Sequence, residues 1–94
     1  MEESASNGFQ VLSDGRRVWV NGLQGESVAR LSSFGLQVMI DIHLPFNEQR
    51  ATGKECLDCR HDLRPADAWQ YFVLSLQRNY NVTVAEKHKP DWAR

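Results

Sequence analysis

Ninety-four residues, 41% hydrophobic and 24% charged, describe one ordinary globular domain with no room for a second core. Eleven Lys/Arg against 12 Asp/Glu leave a net charge of -1, which removes the electrostatic case for tight nonspecific binding to nucleic acid or an anionic membrane. Apolar runs such as Val38-Met39-Ile40, which stops at Asp41, fall far short of the roughly 20 apolar residues of a membrane span.

Residues 1–8 are acidic and polar, the opposite of the basic and then apolar start of a secretion signal. They are read as a disordered lead-in, and the protein as cytoplasmic. In that reducing setting the two cysteines are expected as thiols.

Two short strands follow, residues 9–13 and 16–21, joined by Asp14-Gly15, a dipeptide that tolerates the positive φ angles of a two-residue hairpin turn. That turn pairs Val11 with Val18 and Phe9 with Val20 on one face, and sets Gln10, Leu12, Arg17 and Trp19 on the other. A glycine-bearing connection, residues 21–26, leads to a third strand at 27–32. A second turn at 32–35 then feeds residues 36–44, where Leu36, Val38, Ile40, Ile42 and Leu44 alternate with Gln37, Met39, Asp41 and His43. With a four-residue loop, Leu31 meets Leu36 and Ala29 meets Val38 on the buried face, leaving Val28, Arg30, Met39, Asp41 and His43 on the opposite one.

Pro45 ends this strand, and residues 46–54 read as an irregular polar loop. Beyond the cysteine pair, Pro65 suits a first helical position, where its missing N–H costs nothing. Along residues 66–80, Ala68, Trp69, Phe72, Val73, Leu76 and Tyr80 follow helical spacing and give an apolar stripe wide enough to cover a sheet. Asn79 or Asn81 ends the helix, residues 81–85 form a short fifth edge strand, and residues 86–94 are a loose tail with Trp92 as its one anchor. The predicted architecture is a single α+β domain over residues 9–85, a four-stranded antiparallel meander with one C-terminal helix packed on one face.

Cys56 and Cys59 have the C-x-x-C spacing that lets two thiolates grip one tetrahedral ion, because a tight turn brings both sulfurs to one side. His61 and His43 are the candidate third and fourth ligands for zinc, with His88 as a substitute for His43. No second ligand pair at a short regular interval accompanies them, so two reduced cysteines, packed as small apolar residues or lying in a loop, are the favoured reading of the pattern. A redox role is weaker, since Cys59 lies some six residues before Pro65 and gains nothing from the helix dipole. Asp41 and His43 share a strand face near Glu26 and Arg30, but no nucleophile stands beside them, and no enzyme is expected.

The uncovered sheet face would present Leu12, Arg17, Trp19, Val28, Arg30 and Met39, residue types enriched at protein interfaces. The leading expectation is a non-enzymatic binding or assembly module that uses this face for self-association as a homodimer or for a protein partner. A zinc-bearing domain and a sheet-type DNA binder acting through Arg16, Arg17, Trp19 and Arg30 are the alternatives; the acidic balance counts against DNA.

Overall fold

The computed structural model describes residues 1–43 and 56–94; the expected strand end at Leu44 and Pro45 and the polar loop at 46–54 lie outside them. The chain forms a five-stranded antiparallel sheet in the order β1 to β5, with strands Glu2–Ser6 (β1), Phe9–Ser13 (β2), Val18–Asn21 (β3), Ser27–Phe34 (β4) and Gln37–Ile42 (β5), followed by the helix Pro65–Tyr80 (α1). The α+β architecture, with every strand joined to its sequence neighbour and one helix after the sheet, is the one read from the sequence.

The fifth strand lies at the other end of the chain from where it was expected. Residues 2–6 pair with β2 through a turn at Asn7-Gly8, both at positive φ (51° and 83°), as the type I′ hairpin requires. Residues 81–85 join no strand ladder, and Asn81 is left-handed (φ 55°). The lead-in reading missed β1 because Glu2–Ser6 has no large apolar residue and so no apolar alternation, although Asn-Gly is itself a strong hairpin signal.

Both predicted hairpin registers shift by an even number of residues, which leaves the residues paired within each hairpin on their expected faces. Val11 pairs with Val20 and Ser13 with Val18, because the Asp14 carboxylate accepts the N–H groups of Arg16 (3.0 Å) and Arg17 (2.8 Å) and widens the turn to four residues. Burial acts to raise the Asp14 pKa, but these two N–H groups and the Arg17 guanidinium outweigh it and hold the carboxyl below its usual range. In β4 and β5, Leu31 meets Ile40 and Ala29 meets Ile42, since left-handed Gly35 (φ 64°) allows a tight turn. Leu36 is therefore not in the core: it stands 99% exposed at the hairpin tip beside Phe34.

One face of the sheet supplies Val11, Val18, Val20, Ala29, Leu31, Val38, Ile40 and Ile42 to the core, and α1 covers it with Ala68, Trp69, Phe72 and Leu76. Pro65 is the first helical residue, and Asn81 (φ 55°) ends the helix with its N–H on the Gln77 carbonyl. The tail is not loose. Val82, Val84 and Ala93 join the core, and residues 86–88 and 91–93 form short 3-10 turns. The Trp92 indole N–H donates to the Arg16 carbonyl (2.6 Å), and the Asp91 N–H to that of Gly15 (2.8 Å).

His88 fastens the two ends of the chain together. It is 1% exposed, with Nε2 hydrogen-bonded to Ser4 Oγ (2.8 Å) and Nδ1 to Ser13 Oγ (2.7 Å). Burial, aided by neighbouring Lys87 and opposed by Glu2, lowers its pKa below the ordinary imidazole range. In that window the unfolded chain binds the proton and the folded chain does not, so stability falls as pH drops below about 6.5. Urea unfolding of the wild type and of His88→Gln at pH 7.5 and pH 5 checks this. The wild type should lose more stability on acidification than the variant, and equal losses would contradict the role given to His88.

Candidate metal and thiol site

The outer edge of β5 holds a second short ladder. The Arg60 N–H donates to the Ile40 carbonyl (2.8 Å) and the Ile40 N–H to that of Arg60 (2.7 Å), while Cys56 bridges His43 in the same antiparallel sense. Between these points the Leu57 and Asp58 N–H groups both donate to the Ile42 carbonyl (2.7 and 3.0 Å). Two consecutive amides aimed at one oxygen force a tight turn, and the C-x-x-C pair spans it. The crossover thus reaches the sheet edge, the path that brings it to His43.

Helix α1 fixes the turn from the core side. Tyr71 and Ser75, one helical turn apart, both donate to Asp58 Oδ2 (2.6 and 3.0 Å). The Arg60 guanidinium lies 3.5 Å from the other Asp58 oxygen and 4.7 Å over the Tyr71 ring. Hydrogen bonding to Asp58, with burial, raises the Tyr71 pKa and keeps its hydroxyl a donor. Tyr80 donates its hydroxyl to the His43 carbonyl, so the helix grips both halves of the site.

The cysteines are not the free thiols expected: a disulfide joins Cys56 to Cys59. Their Cα atoms are 5.7 Å apart, at the usual disulfide spacing, because the doubly bonded Ile42 carbonyl closes the turn. Among the described residues, the potential ligand atoms of His43, Cys56 and Cys59 lie within 4.8 Å of one another. His61, expected as the third ligand, is exposed and outside this group, because the chain runs off the sheet edge after Arg60. His88 is held at the far side of the molecule by Ser4 and Ser13. Asp41 faces Arg30 (3.6 Å), and Glu26 accepts from the Gln24 N–H (3.1 Å) in its own loop.

The face opposite α1 carries five of the six surface residues expected there. Leu12 and Trp19 are half-buried, while Arg17, Arg30 and Met39 are exposed. The Arg17 guanidinium sits 4.9 Å over the Trp19 ring. Val28 is the exception, buried to 2% exposure, because the register between β3 and β4 shifts beside it at Val20 and Asn21. A shallow cavity of about 410 Å³, lined by Trp19, Asn21, Ser27, Arg30, Asp41 and His43, links this face to the site at the β5 edge. The disulfide, the role of Asp58 and its helix partners were not legible in the sequence; the only hint was Tyr71 and Ser75 at i, i+4 spacing.

Tyr71→Phe removes one of the two helix hydrogen bonds to a partly exposed carboxylate and should lower unfolding stability by about 1 kcal/mol. Urea denaturation measures it, and an unchanged midpoint would show that Asp58 is not clasped by the helix. Comparison with known protein families, with curated proteins and with solved structures returned no match for this chain.

Proposed function

We propose that the protein is a non-enzymatic assembly module whose helix-free sheet face docks against a second copy of the same chain. The observation that carries this reading is the composition of that face. Leu12 and Trp19 are paired across β2 and β3 with Arg17 stacked on the indole, and Met39 lies on the same face of β5, opposite Ser32. Trp, Met and Arg are the side chains most enriched where proteins meet. The described helix and C-terminal segment pack on the other face, where their buried residues join the core.

A second copy suits the charge pattern. Glu3, tied to Gln10 (2.7 Å), and Asp41 supply negative charge to the same face on which Arg17 and Arg30 supply positive charge. Two copies related by a twofold axis can therefore set cations against anions, as an isologous interface requires. A net charge near zero leaves little overall repulsion to oppose the pairing.

Sedimentation equilibrium tests the reading. The wild type should self-associate, and Trp19→Ala should weaken association by about tenfold or more, the scale of a central aromatic anchor. Leu74→Ser, on the exposed side of α1, should leave it unchanged. A wild type that stays monomeric at its highest soluble concentration, or one whose association ignores Trp19→Ala, would overturn the proposal.

A further inference from the structure

We infer that His43, Cys56 and Cys59 form a thiol-gated site for a thiophilic divalent cation of the zinc type: the reduced pair binds the ion with the imidazole, and oxidation to the disulfide expels it. The inference rests on the geometry of the β5 edge and is independent of the docking face.

Three observations converge on it. The first is the donor set. Two sulfurs and one imidazole nitrogen, all within 4.8 Å of one another, are soft and borderline ligands of the kind zinc prefers. Around a tetrahedral zinc, with bonds of about 2.3 Å to sulfur and 2.0 Å to nitrogen, the ligand atoms are separated by about 3.5–3.8 Å. The three atoms start close to that spacing, and opening the disulfide frees both sulfurs to rotate toward it. The second is that hydrogen bonds, and not the sulfur–sulfur bond alone, hold the backbone supporting them. The turn is held by the Ile42 carbonyl, by the Ile40 and Arg60 pair and by Asp58 on Tyr71 and Ser75. Reduction therefore leaves the ligands in place, and the ordering entropy of the site is already spent in folding.

The third is access. Cys56 is exposed, and His43 lines the open cavity of about 410 Å³. The fourth coordination position can hold water, and a small disulfide can reach the sulfurs. Three protein ligands and an open position are the arrangement of an accessible site rather than a closed structural one.

The gate is a balanced exchange. A low-molecular-weight disulfide RSSR takes two electrons from the Cys56 and Cys59 thiolates, its own S–S bond breaking to give two thiolates RS⁻. One S–S bond forms in the protein, two zinc–sulfur bonds and one zinc–nitrogen bond break, and Zn²⁺ leaves. With Zn²⁺ present, an excess of RSH runs the sequence backward, RSSR re-forming and two protons passing to solvent.

The test uses the full chain, reduced with dithiothreitol and freed of the reductant under inert gas, then titrated with Zn²⁺ against a chromophoric chelator. The reduced wild type should take up one ion per chain, and bound zinc should slow alkylation of both cysteines. Oxidised glutathione should release the metal in step with disulfide formation. Cys59→Ser should abolish binding. His43→Ala should weaken it by roughly tenfold or more, since even outer partners of a metal are worth about 10–100-fold, and His61→Ala should leave it unchanged. Circular dichroism verifies folding, and alkylation protection in the wild type decides the matter should His43→Ala unfold. Folded, reduced wild type that takes no zinc, zinc that leaves the thiols unprotected, retention of the metal after oxidation, or dependence on His61 in place of His43 would each overturn the inference.

Discussion

The carbonyl oxygen of Ile42 is the acceptor on which the unusual part of this molecule depends. A carbonyl at the outer edge of a sheet would ordinarily face water or invite another strand. Here it receives two N–H groups from Leu57 and Asp58, so the chain turns sharply at the edge. That single arrangement caps the end of β5, sets Cys56 and Cys59 side by side and places both next to His43. It also presents Asp58 to the helix, where two hydroxyls and a guanidinium satisfy a carboxylate that is only partly exposed. A partly buried acid is tolerable when it is hydrogen-bonded this fully, and its removal would leave Tyr71 and Ser75 without their acceptor.

The same logic of closing edges operates at the other end of the sheet. Glu2–Ser6 has little apolar surface to bury, and a strand of such composition holds only if something crosses it. His88 crosses it, joining Ser4 of β1 to Ser13 of β2, while Lys87 reaches the Glu3 carbonyl and the Thr83 N–H donates to Ser6. The C-terminal residues therefore act as a strap over the first hairpin. The sheet includes β1, and Ala93 joins the core.

What was legible in the sequence follows from the period of two. Alternation of Val38, Ile40 and Ile42 and of the first hairpin assigned their helix-facing side correctly, and even register errors preserved that assignment. The helix was legible from its apolar stripe and from Pro65. Val28 was misplaced because a bulge breaks the period locally, and no local signal marks it. The strap was missed because His88, Ser4 and Ser13 meet across more than seventy residues of chain. The turn at the cysteines had a visible spacing, but its meeting with His43 depends on the route of the crossover, which no local pattern specifies. The absence of the expected third ligand, His61, has the same cause: one residue beyond Arg60 the chain leaves the edge.

The most direct measurement is amide hydrogen exchange at Leu57, Asp58 and Arg60 in the reduced protein. With the turn held by Ile42, Ile40 and Asp58 rather than by the disulfide, these three amides should exchange far more slowly than in an unstructured peptide and stay protected after reduction. Exchange at the unprotected rate once the disulfide is opened would contradict the claim that the fold itself builds this site.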